Sequence, residues 1–198
     1  MKDKRKKRAV ALFLTIFLTL SPCLSFLRGD VLAQSASFTI QMKDRRSMLT
    51  NVSFDFFGER IGSGIYYWMK DDGSPLLCVQ QHARLGTDLD GAEVPDKISS
   101  GQYFTSSQYD LVSLVLQCCG MRRGETGDLE AGDYLAAQAA VWGILSPNWI
   151  GTEQLKQEME GLYRHVRSWC GIPAKELTER SAEMIDTICQ AIEENYGD

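Results

Sequence analysis

Several familiar signatures are missing from this chain. It has only two histidines among its 198 residues, His82 and His165. Its cysteines show no Cys-x-x-Cys spacing of the kind that builds zinc sites. There is no Gly-rich phosphate loop, no paired-carboxylate motif and no basic stripe. Internal repeats and low-complexity tracts are also absent, so a solenoid or a disordered linker protein is excluded. What remains is a chain long enough for one domain, with an ordinary apolar share of 44% and a net charge of −5.

The charge is unevenly placed. Residues 1–33 hold seven Lys/Arg and two Asp/Glu, a net of +5, which leaves −10 on the rest. They begin with the basic run MKDKRKKR, continue through the apolar run AVALFLTIFLTL and end on Val31-Leu32-Ala33. That is the layout of a secretory signal peptide, with cleavage expected after Ala33 or a few residues later. The apolar run is shorter than the ~20 residues of a comfortable span. Membrane association is therefore expected only if the segment stays uncleaved as a signal anchor. The acidic remainder argues against a nucleic-acid partner. Cleavage leaves Cys78, Cys118, Cys119, Cys170 and Cys189, an odd number outside the cytosol, so at least one thiol is unpaired.

Hydrophobic periodicity divides the remainder in two, a strand region over 37–82 and a helical region over 106–196. SFTIQM, NVSFDFFG, IYYWMK and PLLCVQQ are short, β-branched and aromatic, and bounded by turn residues, with Asp71 to Pro75 as a turn. Cys78 is expected inside the last of these strands. Residues 83–105 read as a long loop. Four helices follow: one after Ser106/Ser107, one capped by Asp133, one capped by Thr152 with Leu155, Met159, Leu162, Val166 and Trp169 on a stripe, and a last one with Leu177, Ile185, Ile188 and Ile192 inward. The expected class is α+β, with N-terminal antiparallel strands packed against about four C-terminal helices in one domain over 37–198.

On the second helix, Leu135, Gln138 and Trp142 share one face. A Gln on an apolar face must find partners for its amide. Alone it reads as a satisfied core Gln, and Cys78 alone reads as a small buried hydrophobe. Together the two segments are more informative. Leu77-Cys78 ends an apolar strand, a helix such as LVSLVL follows, and then Ala137-Gln138-Ala139-Ala140-Val141-Trp142. This resembles the thioester domains, or TQXA domains, of Gram-positive surface adhesins, whose Gln motif is Thr-Gln-x-Ala-Ile-Trp. Gln138, Ala140 and Trp142 match, Val141 replaces Ile, and Ala137 stands where the family has Thr. The resemblance covers roughly residues 66–145.

The resemblance implies a Cys78–Gln138 thioester at the strand/helix junction, formed when the Cys78 thiolate attacks the Gln138 carbonyl and ammonia leaves. It implies a secreted or cell-surface adhesion module. An amine, typically a host-protein lysine, would open the bond in a single covalent event without turnover, and neither metal nor cofactor is implied. Amides are poor electrophiles, so the fold must supply near-contact geometry, an oxyanion donor and shielding from water. Trp142 is the candidate shield, with Leu135 and Tyr67, and more weakly Tyr66 and Trp68, as support. By analogy with a disulfide, closing a loop of about 60 residues would stabilise the fold by roughly 4 kcal/mol. Family members sit at the tip of longer proteins with stalk modules and an LPXTG-type sorting signal, and the sequence to Asp198 contains neither.

Two other classes compete. One is a secreted cysteine hydrolase or acyltransferase using Cys78 with His82 or His165. On a strand His82 would lie ~13 Å from Cys78, which leaves it a minor candidate for proton transfer. The other is a non-covalent binding module with a structural Gln138. Asn51-Val52-Ser53 matches a glycosylation sequon, a match that arises often by chance. Cys170 and Cys189 could pair, although buried free thiols are the simpler expectation.

Overall fold

A computed structural model describes residues 37–43, 48–51, 53–62, 64–79, 91–95, 104–120 and 129–197. The expected signal segment, His82, most of the 83–105 loop and most of the Gly-rich connection before the second helix lie outside these residues. Among the described residues, six short strands precede four helices, an α+β arrangement. None of these helices is long and apolar enough to cross a membrane.

The strands are β1 (Ser37–Met42), β2 (Phe54–Phe56), β3 (Glu59–Ile61), β4 (Trp68–Lys70), β5 (Pro75–Leu76) and β6 (Glu93–Pro95). Four of them form an antiparallel sheet in the order β5-β4-β1-β6, and β2-β3 is a separate hairpin. The turn expected at 71–75 joins β4 to β5. Gly73 takes φ +86°, and Asp72 accepts a hydrogen bond from the Ser74 N–H at 2.8 Å. Strands β3 and β6 were not expected. β6 falls inside the segment read as loop, because its ladder partner is β1, about fifty positions away in sequence.

The helices are α1 (Ser106–Cys118), α2 (Ala131–Leu145), α3 (Thr152–Tyr163) and α4 (Ala174–Tyr196). Their starts differ from expectation by a residue or more. Thr105, rather than Ser106/Ser107, caps α1 in a reciprocal capping box with Gln108. Glu130 occupies the N-cap of α2, which places Asp133 in the first turn, where Arg180 of α4 binds it at 2.8–2.9 Å. Gly151 at φ +136° precedes α3, so Thr152 is its first residue and not its cap. The third stripe is cut short. α3 stops at Tyr163, Val166 pairs with Thr50, and Trp169 pairs with Ile172 across a turn. His165 lies in the turn past α3, not mid-helix, and stacks on Phe54 at 5.8 Å.

α2 is the centre of the molecule. Every residue from Ala131 to Ile144 is buried, among α1, α4, α3 and the strand region. Its small residues admit close neighbours. At Gly143 an added Cβ would lie 2.8 Å from the Phe57 ring. Phe57 itself closes the β2–β3 hairpin with Gly58, at φ +51° and +73°, the left-handed pair that a two-residue turn of this type requires. α4 is amphipathic, with Leu177, Ile185, Ile188 and Ile192 buried as expected.

Candidate functional site

Cys78 and Gln138 meet. Cys78 is 1% exposed and Gln138 2%. The Cys78 backbone N–H donates to Gln138 Oε1 at 2.8 Å, and Gln138 Nε2 donates back to the Cys78 carbonyl at 2.7 Å. The Gln amide therefore sits against the Cys78 backbone as a second strand would. The carbonyl carbon Cδ, bonded to both amide atoms, is held beside the residue that bears the thiol.

This pairing explains one departure from expectation. Cys78 is not in a strand, because β5 ends at Leu76. Beyond that point α2 takes over the backbone. Tyr134 Oη donates to the Leu76 carbonyl at 2.7 Å, and Gln138 takes both polar groups of Cys78. Buried backbone groups need partners, and here helix side chains supply them in place of a neighbouring strand.

The Cys78 N–H has a second consequence. It donates to the oxygen on which negative charge would develop if Gln138 Cδ were attacked. A buried donor already aimed at that oxygen needs no reorganisation. Nucleophile and oxyanion donor would then belong to the same residue.

Most of the residues expected as shields are buried. Leu135 is fully buried and Trp142 is 5% exposed, on the turns before and after Gln138. Among the described residues the Trp142 Nε1–H finds no hydrogen-bond partner. Tyr67 is buried, donates its hydroxyl to the Leu129 carbonyl at 2.8 Å and stacks on Tyr134 with centroids 4.1 Å apart. Tyr66 is half-buried beside Trp68, which is buried.

Tyr134 is the residue that pattern reading missed. It is fully buried, and besides bonding Leu76 it accepts the Trp68 N–H at 3.2 Å. Burial drives its hydroxyl pKa far above the ordinary tyrosine value, so it stays protonated. The available signal was its spacing, four residues before Gln138 and so on the same stripe.

Among the described residues no disulfide forms, so Cys170 and Cys189 are not bridged to each other. Cys119 is buried, and burial pushes its thiol strongly upward. The same effect, opposed by Lys156, pushes Cys189 up to about 11. Cys170 is exposed in the Trp169–Ile172 turn. Iodoacetamide at pH 8 is therefore expected to label Cys170 first and to leave Cys119 and Cys189 until the protein unfolds. Peptide mapping showing Cys189 labelled as fast as Cys170 would contradict this order. Among the described residues no group of three or more His, Cys, Asp or Glu is placed to hold a metal ion.

Comparison with protein-family models, with curated proteins and with solved structures gave no match. The case for a function therefore rests on the geometry of the site and on the sequence resemblance.

Proposed function

We propose that this protein is an exported thioester module that couples covalently to an amine on another surface. The observation that carries the reading is the two-point hydrogen bonding of the buried Gln138 amide to the Cys78 backbone. Cys78 Sγ bonds to Gln138 Cδ, the Cδ–Nε2 bond breaks, and the thiol proton leaves with the nitrogen as ammonia. A partner amine then attacks the same carbon. The Gln138 acyl group becomes an amide of the partner and Cys78 regains its thiol. Each molecule reacts once.

Three requirements of that chemistry have support here. Proximity follows from the paired amide, since holding reactants in place supplies much of the barrier reduction for a poor electrophile. The oxyanion donor is the Cys78 N–H. Exclusion of water is supported by the burial of Cys78 and Gln138 themselves, with Leu135 and Trp142 buried on the neighbouring turns of α2. Export, a surface location and a host-protein lysine as target belong to the same proposal, and they rest on residues 1–33 and on the adhesin resemblance.

One observation favours the competing reading of Gln138 as a structural residue in a non-covalent binding module: both its polar groups are satisfied as they stand. Intact mass separates the two. The freshly purified protein, with its N-terminus mapped, is expected to be lighter than its sequence by one ammonia. Methylamine is expected to convert it to a methylamide adduct. Cys78→Ala and Gln138→Ala should show neither change. A full sequence mass in fresh folded protein would sink the thioester.

A further inference from the structure

We propose that Tyr134 is a positioning residue for cross-link formation, its hydroxyl holding the Leu76–Cys78 segment in register on α2 so that Cys78 meets Gln138. This rests on the thioester reading of the site.

The register has a geometric basis. Tyr134 anchors Leu76, and Gln138 anchors Cys78. Two residues of extended chain advance about 6.6 Å. Four residues of α-helix advance about 6 Å. The two pairs of anchors therefore keep step, the chain running alongside α2 in the same direction. Gln138 alone would tie the segment to α2 at one residue. With Tyr134 the segment is held at two.

Tyr134 is suited to this in three ways. Its ring is locked, stacked on Tyr67 at 4.1 Å and 17°, while Tyr67 is stacked in turn on Trp169 at 5.9 Å. Burial raises its hydroxyl pKa, so it stays a donor at and well above neutral pH. It also binds both sides of one rung of the sheet, since Trp68 and Leu76 are opposite each other in the β4–β5 ladder. Lys70 N–H bonds the Ser74 carbonyl nearer the turn, so alternation puts Trp68 and Leu76 on the next hydrogen-bonded rung. If the hydroxyl is removed, that rung can still close on itself. The sheet survives, and what is lost is its tie to α2.

Tyr134→Phe therefore separates positioning from stability. Ammonia opens the thioester back to Gln138 and the free Cys78 thiol. Removing the ammonia starts re-closure, which intact mass can time. Tyr134→Phe is expected to slow re-closure about tenfold or more, as misplacement of a reacting group does. In a Cys78→Ala background, where no cross-link forms, the same substitution should move Tm by only a few degrees. Hydrogen exchange at the residue 78 amide should quicken in that background. Tyr163→Phe, which removes a half-buried hydroxyl facing Ser181, should leave re-closure unchanged.

Wild-type re-closure in Tyr134→Phe would overturn the positioning role while leaving the thioester standing. Unfolding of Tyr134→Phe would also overturn it, by showing that the hydroxyl is structural. Absence of ammonia loss in the wild-type protein would remove both readings together.

Discussion

Gln138→Glu is expected to abolish the cross-link and to destabilise the protein strongly. The substitution keeps the shape and replaces Nε2 with oxygen. A carboxylate is no electrophile for a thiol, so the ammonia-loss mass disappears. The lost closure of a loop between residues 60 apart costs roughly 4 kcal/mol. Measured against the uncross-linked form, in which Gln138 Nε2 donates to the Cys78 carbonyl, the carboxylate puts an oxygen there instead, at a cost of about 1–3 kcal/mol. The loss of closure alone is a large share of the ~5–15 kcal/mol that holds a domain together.

The effect should depend on pH in a defined direction. The protonated carboxyl can donate to the Cys78 carbonyl and the ionised one cannot, so folding raises the pKa of the introduced group. The folded state then binds the proton more tightly, and stability falls as pH rises above the ordinary carboxylate range. Acidification should therefore partly restore Gln138→Glu. Cys78→Ala removes the cross-link without placing a carboxylate at residue 138, so it separates loss of the cross-link from the effect of the introduced charge. If Cys78→Ala melts with the wild type in denaturant titrations, no cross-link was stabilising the protein.

The second large effect lies at the β2–β3 turn. Phe57→Ala is expected to cost about 3–5 kcal/mol, the range for emptying a buried aromatic site. The ring is fully buried against Phe56 at 5.0 Å, Trp149 at 5.9 Å and the bare face of Gly143. The Asn148 side chain holds the turn by donating to the Phe57 carbonyl at 2.7 Å. Gly143→Ala alone should be destabilising, since its Cβ would press on this ring and overpacking costs about 1–3 kcal/mol. In the Phe57→Ala background the same change should become neutral or stabilising, because the clash is gone and alanine's helix preference of about 1 kcal/mol remains. Additive behaviour in this double-mutant cycle would rule out the contact.

The sequence carried the helices better than the strands, for physical reasons. In α4, Leu177, Ile185, Ile188 and Ile192 mark one wet and one dry face, so its periodicity is plain. α2 was readable as a helix from its alanines, but its start was not. Asp133 looks like a cap in sequence, and it is instead drawn into the first turn by Arg180, 47 residues away. β6 was invisible because three residues ending in proline become a strand only when β1 lies alongside. The Cys78–Gln138 contact was legible only through the two motifs together. The end of β5 was not legible, because what replaces the next strand is a pair of side chains from α2. Tyr134 was passed over because a tyrosine near a helix start reads as ordinary core until its hydroxyl is seen on the Leu76 carbonyl.

The burial of α2 on every side bears on the order of assembly. A helix with one dry face can wait in water with its polar side outward. α2 has no such side, and the element it meets most extensively, α4, is made after it, as the last of the four described helices. During N-to-C synthesis the chain through Leu145 therefore holds a sticky apolar cylinder whose cover does not yet exist. The cover arrives only after α3 and the Trp169 turn have emerged. Such a chain is exposed to misassociation until α4 docks, and a truncation that removes α4 would leave the nascent protein dependent on a chaperone.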